Sequence, residues 1–142
     1  MTTEATTNRE PDVFAIAHEA DLIRVRKALR AEAESVGLNL VDATKLITAG
    51  SELARNILNY ATGRRGRISV EQVYRSGRRG VRATFSDVGP GIEDIDAALT
   101  DGFSTRGSMG LGLPGARRLV DDMTLTSDAA SGTTVVIVKW QR

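Results

Sequence analysis

An almost unbroken helical repeat of apolar residues between Val41 and Ala61 constrains the fold of this chain more than any other feature. Apolar or small residues recur there at spacings of three and four, as on one face of an α-helix. They are Leu46, Ile47, Gly50, Leu53, Ala54, Ile57, Leu58 and Ala61. The pattern predicts a long amphipathic helix packed on a core. Asp42 is expected to cap its start, and Gly63 follows its end.

Two polar residues of this helix, Glu52 and Asn56, are four positions apart and therefore lie on one side, one turn apart. At 100° per residue they fall nearly opposite the apolar stripe centred on Ala54 and Ile57. A carboxylate and an amide oxygen on one face suit a hard cation such as Mg²⁺, or a base beside a metal ligand. Taken alone, the pair also fits a solvated polar face.

The rest of the chain alternates strand and helix patterns around this element. Another helix, which comes first in the chain, is predicted over Ala20 to Val36, and Gly37 ends it. Strands are expected at Val13–His18, Ile68–Tyr74, Val81–Phe85, Met123–Ser127 and Thr133–Trp140, with a hairpin link over 75–80 and a last helix over 113–122. This order predicts an α+β fold, a two-layer sandwich with a mixed, mainly antiparallel sheet and helices on one face.

Composition bounds the function classes. A chain of 142 residues fits one domain, expected over 12–142 after a disordered polar tail over 1–11. A net charge of +1 and the lack of a long apolar run give no reason to expect nucleic acid or membrane as a partner. The absence of cysteine excludes disulfides and thiolate chemistry and fits the cytoplasm, and a single histidine, His18, argues against a histidine-rich zinc site.

Asp87 ends an alternating strand and is followed by Val-Gly-Pro-Gly91. Glycines after a strand end let a ligand approach the backbone closely, and a carboxylate there accepts a hydrogen bond from an exocyclic amine such as that of adenine. The same residue types also make an ordinary turn.

A second glycine-rich stretch, Gly107 to Leu113, leads into the last predicted helix. Exposed amides at a helix N-terminus bind phosphate. The stretch is not a P-loop, because no Gly-Lys-Ser/Thr follows, and it is not a dinucleotide fingerprint, because no strand immediately precedes it. Gly132-Thr133 opens the last strand, where the Thr133 hydroxyl is a candidate partner for a buried carboxylate or a base.

Taken in order, these four motifs resemble the boxes of the GHKL superfamily, which gyrase B, Hsp90, histidine kinases and MutL share. Within that superfamily the chain is most similar to the RsbT-type switch serine/threonine kinases of the bacterial stressosome, over about Val13 to Trp140. The most specific matching segments are Ser51–Ile57, Asp101–Thr105, Gly110–Gly115 and Arg118–Asp121. The resemblance implies a Bergerat-type fold that binds ATP under a lid.

The resemblance also implies roles for individual residues. Asn56 would ligate Mg²⁺, Glu52 would be the general base, and Asp87 would bind the adenine amine with support from Thr133. Arg106, in the lid, would reach the γ-phosphate, or else face solvent. The remaining residues implied to contact the nucleotide are Gly89, Gly91, Ile92, Thr105, Gly107, Gly110, Leu111, Gly112 and Leu113.

The function implied by the resemblance is transfer of the ATP γ-phosphate to a serine or threonine of a STAS-domain protein, followed by activation of a PP2C-type phosphatase. The alternative is an anti-sigma factor of the RsbW or SpoIIAB type, which sequesters a sigma factor. A histidine-kinase catalytic domain is disfavoured because His18 lies beside a short strand and not on a dimerisation helix. An inactive scaffold that only binds ATP stays open, as does the oligomeric state.

Overall fold

The computed structural model of the chain describes residues 5–6, 10–60, 65–87, 112–128 and 132–142. In chain order its elements are β1 Ala5–Thr6, β2 Asp12–Ile16, α1 Asp21–Val36, α2 Leu40–Tyr60, β3 Gly66–Arg75, β4 Arg78–Asp87, α3 Gly112–Leu119, β5 Asp122–Asp128 and β6 Gly132–Trp140. The described strands form one sheet in the order β1-β3-β4-β6-β5, with β2 also paired to β3. Every pairing is antiparallel.

The helices cover one face of this sheet, so the predicted α+β class is confirmed. Alternate residues of the strands, such as Phe85 and Ile137, are buried in one core together with residues of α1 and α2. The apolar stripe of α2 is part of that core, with Leu46 and Ala54 fully buried. The alternation therefore divides each strand into a helix-facing set and a set on the opposite face of the sheet.

The start of α2 differs from the prediction, because Asn39 and not Asp42 caps it. The Asp42 N–H donates to Asn39 Oδ1 at 2.8 Å, and Asn39 Nδ2 donates back to Asp42 Oδ2 at 3.2 Å. This pairing resembles a capping box, but Asp42 returns its bond to the side chain of the cap and not to the backbone N–H of the cap. The predicted end signal, Gly63, lies outside the described residues, whereas Gly37 ends α1 with φ +81° as predicted.

The hairpin link between β3 and β4 is shorter than predicted. Only Ser76 and Gly77 form the turn, with φ of 53° and 76°, and Arg75 already faces Arg78 across the ladder. Two consecutive positive φ values are typical of a two-residue turn whose twist matches the flanking strands. The arginines after the turn thus belong to a strand.

Other element ends also differ from the sequence-based ones. β2 ends at Ile16 because the Ala17 and His18 N–H groups donate to the Asp21 carboxylate. α3 ends at Leu119, since Asp121 accepts the Trp140 N–H at 2.7 Å and Asp122 begins β5. Residues Ala5 and Thr6, within the tail for which disorder is predicted, pair with Tyr74 and Val73 of β3. Within the described ranges, no helix combines the length and apolar character that a membrane span requires.

Candidate functional site

Glu52 and Asn56 lie on α2 at the border between its buried and exposed faces. Both side chains are half-buried, whereas Leu53 and Ile57 beside them are buried and Arg55 is exposed. The prediction that the pair stays out of the core is confirmed. The two residues flank the apolar stripe, however, and do not lie opposite it. Among the described residues, no hydrogen bond or ion pair engages the polar atoms of Glu52 or Asn56, so these atoms are available to a ligand.

The first residue of α3, Gly112, lies beside Asn56. A Cβ atom on Gly112 would be 3.9 Å from Asn56 Nδ2. Backbone N–H groups at the start of a helix lack intrahelical partners and carry a partial positive charge. The fold therefore brings an amide side chain and a helix N-terminus together, which is an arrangement suited to a phosphate and its metal ion.

Asp87 is the last residue of β4 and belongs to the helix-facing set of strand residues. Its Oδ1 accepts the backbone N–H of Thr133, its partner across the ladder, at 3.4 Å. Burial raises the pKa of Asp87 above its ordinary value, and the hydrogen bond from Thr133 offsets part of that rise. Asp87 is thus a partly desolvated acceptor at the end of a strand.

Thr133 supports Asp87 in a different way from the one predicted. Its hydroxyl lies 3.0 Å from the Ser127 hydroxyl on β5, and only its backbone reaches Asp87. Ser127 is a residue that the motif analysis missed. The signal for it was the alternation of β5, which places Ser127 on the same face as Leu125, opposite Thr133 in register.

Gly66, at the start of β3, is a second residue that the motif analysis missed. It is opposite Asp87 in the β3–β4 ladder. A Cβ there would lie 2.6 Å from the Ser86 carbonyl oxygen and 2.8 Å from Ile57 Cγ2, both too close for a real contact. Because Ile57 follows Asn56, the missing side chain lets α2 lie close to the sheet beside Asp87. A glycine within a strand is the sequence signal for such an approach.

Some predicted site residues fall outside the described residues, so the structure does not place them. They are Gly89, Gly91, Ile92, Thr105, Arg106, Gly107, Gly110 and Leu111. Leu113 is described, and it packs partly buried against the main core.

The described residues fit the chemistry of a bound adenine nucleotide. Asp87 offers an acceptor for an exocyclic amine, Asn56 offers an oxygen ligand for Mg²⁺, and the start of α3 offers N–H donors for phosphate. These three groups lie on three different elements, β4, α2 and α3. The packing of the helices on the sheet sets their relative positions.

Comparison with known proteins shows which family the chain is similar to. Residues 41–142 match the family model described as "Histidine kinase-, DNA gyrase B-, and HSP90-like ATPase". The serine/threonine-protein kinase RsbT of Bacillus subtilis (strain 168) is 44% identical over 127 residues, which cover 89% of this chain and 94% of that relative. A solved structure of the mycobacterial sensor histidine kinase MprB superposes with a TM-score of 0.52 at 19% identity, over 93% of this chain and 98% of the solved chain. The likeness to MprB concerns the fold alone.

Proposed function

This chain belongs to the family of histidine kinase-, DNA gyrase B- and HSP90-like ATPases, and we propose that it is an ATP-dependent protein-serine/threonine kinase. The observation that carries the proposal is the position of Asn56 beside the first residue of α3. Phosphoryl transfer requires mainly that the phosphates are positioned and their charge neutralised. A metal-ligating amide next to a helix N-terminus supplies both requirements.

We assign separate roles in the reaction to individual residues of the chain. Asp87 accepts a hydrogen bond from the adenine amine and fixes the base, while the start of α3 donates to phosphate oxygens. Asn56 would hold Mg²⁺ through its side-chain oxygen, and Mg-ATP, when bound, would supply the phosphoryl group. Glu52, one turn before Asn56 on α2, orients the incoming hydroxyl and accepts its proton.

The substrate we propose is a serine or threonine of a STAS-domain regulatory protein in a bacterial stress response. The support is the 44% identity to RsbT along nearly all of both chains. After transfer, the kinase would leave the phosphorylated partner and activate a PP2C-type phosphatase. This last step rests on the family resemblance and forms part of the same proposal.

A co-expression experiment tests the proposed substrate. The chain is expressed with a STAS-domain protein from the same genome, and phosphate is mapped on the partner by mass spectrometry. We expect one modified serine or threonine with the wild-type chain and none with Glu52→Gln. Phosphate at the same site with both chains would exclude the assigned role of Glu52.

The same cells also serve to distinguish the proposed kinase from the alternative, an anti-sigma factor. Affinity purification of the wild-type chain should recover the STAS-domain protein and the phosphatase. Recovery of a sigma factor, with no phosphate on any STAS-domain protein, would instead support an anti-sigma factor that uses the same nucleotide site.

A further inference from the structure

A second candidate site lies at the opposite end of the sheet from Asp87. A pocket of about 230 Å³ is lined by Arg75, Ser76, Arg78 and Trp140. We call it the hairpin pocket, because its first three residues surround the β3–β4 turn. By the alternation of the strands, Arg75, Arg78 and Trp140 are on the sheet face away from the helices. The proposed kinase reaction uses none of them.

Trp140, which lines the pocket, is held by several contacts. Its ring lies over Gly80, where a Cβ would be 2.6 Å from Trp140 Cε3. Its Nε1 donates to Asp122 Oδ2 at 2.9 Å, and the Arg75 guanidinium stacks 4.7 Å from the ring centroid. Arg75 also pairs with Asp122 at 3.5 Å. One wall of the pocket is therefore pre-organised before any ligand arrives.

The two arginines face each other in a way that the fold alone does not favour. Arg75 and Arg78 are direct partners across the ladder, where like charges destabilise a hairpin. Arg75 is held by Asp122 and Trp140. Arg78 is exposed and makes no hydrogen bond or ion pair within the part of the chain that the structure describes. A guanidinium fork is thus left open next to an aromatic surface.

We propose that the hairpin pocket binds a carboxylate side chain in an acidic segment of a protein partner. A guanidinium presents paired N–H donors that match a carboxylate, and the tryptophan ring can cover the aliphatic stem of a glutamate. The local charge is +1, because Asp122 neutralises one of the two arginines. A glutamate side chain can also pack its aliphatic stem on the Trp140 ring, a contact that inorganic phosphate cannot make, and this favours the glutamate.

The pocket is distant from the proposed nucleotide site. β4 runs ten residues from Arg78 to Asp87, a span of roughly 30 Å. Occupation of the hairpin pocket therefore leaves the contacts of Asp87 and Asn56 unchanged. Binding at the hairpin pocket does not depend on the proposed kinase activity.

The chain contains one tryptophan, Trp140, so its intrinsic fluorescence reports on the pocket directly. The full chain is titrated with a capped hexaglutamate peptide at low salt, and a hexaglutamine peptide controls for non-ionic contacts. We expect a saturable fluorescence change with hexaglutamate alone, and about a fivefold weaker apparent Kd for Arg78→Gln. Arg30→Gln, an exposed arginine on α1, is the matched control and should bind as the wild type does.

Inorganic phosphate serves as a third probe of the same pocket. We expect it to bind more weakly than hexaglutamate, and ATP binding should be equal in wild type and Arg78→Gln. The absence of a saturable response to hexaglutamate, or equal affinity in Arg78→Gln, would overturn the proposal. Tighter binding of phosphate than of the peptide would do so too, and would assign the pocket to small phosphate-bearing ligands.

Discussion

Thr133 holds Asp87 through its backbone and not through its side chain. The Thr133 N–H donates to Asp87 Oδ1 at 3.4 Å, while its hydroxyl lies 3.0 Å from that of Ser127. The ladder between β4 and β6 thus fixes the carboxylate by its register. A change of side chain at position 133 leaves this bond in place, whereas a change at position 87 removes the acceptor itself.

The first prediction compares Thr133→Val with Asp87→Asn. The valine variant keeps the backbone donor to Asp87, so its ATP Kd should rise by less than about tenfold. The asparagine variant loses a charged acceptor for the adenine amine, and its Kd should rise by roughly a hundredfold. Isothermal titration calorimetry measures both. A larger loss in Thr133→Val than in Asp87→Asn would show that the threonine side chain holds the base.

The second prediction concerns the pH dependence of stability. Burial raises the pKa of Asp87, so the folded state binds a proton at Asp87 more readily than the unfolded state does. The stability from this protonated form is fully present below the ordinary value of 3.8 and is lost as pH rises through the raised folded pKa. Asp87→Asn should therefore be at least as stable as wild type at pH 7. The difference should close as pH falls toward 4, as measured by urea unfolding.

Asp21 serves as a control for this prediction, because its pKa is shifted in the opposite direction to that of Asp87. The Ala17 and His18 N–H groups hold the pKa of Asp21 below its ordinary value of 3.8. Its contribution is present above 3.8 and is lost as pH falls through the lowered folded pKa. Asp21→Asn should be less stable than wild type at pH 7, with the difference closing in acid. If both variants shift stability in the same direction at pH 7, the assigned environment of one carboxylate is wrong.

The third prediction separates two glycines near the site. A Cβ on Gly112 meets Asn56 Nδ2 only at 3.9 Å, so Gly112→Ala should fold with unchanged stability and lose affinity for ATP. Gly66→Ala forces a Cβ against the Ser86 carbonyl and Ile57, and should lower the free energy of unfolding by about 1–3 kcal/mol. Chemical denaturation and nucleotide titration of both variants check the contrast. Equal stability of the two variants would contradict it.

The fourth prediction concerns a buried ion-pair network distant from the site. Lys139 is only 5% exposed and lies 3.6 Å from carboxylate oxygens of both Asp42 and Asp121. Lys139→Met removes the buried cation that pairs with these two carboxylates, and it should lower the free energy of unfolding by about 2–4 kcal/mol. Arg142 contacts the same two carboxylates but is 55% exposed, so Arg142→Gln should cost less than about 1 kcal/mol. A cost for Arg142→Gln that matches or exceeds that of Lys139→Met would contradict this account.

The order and type of the main elements followed from periodicity, because α2 and the paired strands carry long repeats that tertiary contacts do not override. Boundaries were less predictable. The Asn39 cap, the two-residue turn at Ser76-Gly77 and the early end of β2 each depend on a side-chain bond or backbone conformation that the apolar pattern does not encode.

Sequence spacing placed Glu52 and Asn56 on one side of a helix, but it did not identify what lies beside them. The contact between Asn56 and Gly112 joins residues more than fifty positions apart and arises from the packing of α3 on α2. The Ser127–Thr133 pair likewise depends on the register of β5 against β6. Motifs supply the chemistry of a site, whereas the fold decides which motif residues meet.

The most direct test of the central claim is phosphoryl transfer from γ-labelled Mg-ATP to a purified STAS-domain partner, with ATP binding measured on the same samples. We predict transfer of label to a serine or threonine by the wild-type chain. Asn56→Ala should reduce transfer by at least about a hundredfold, because its metal ligand is lost. Undiminished transfer by Asn56→Ala, or no transfer by a wild-type chain that binds ATP, would contradict the account.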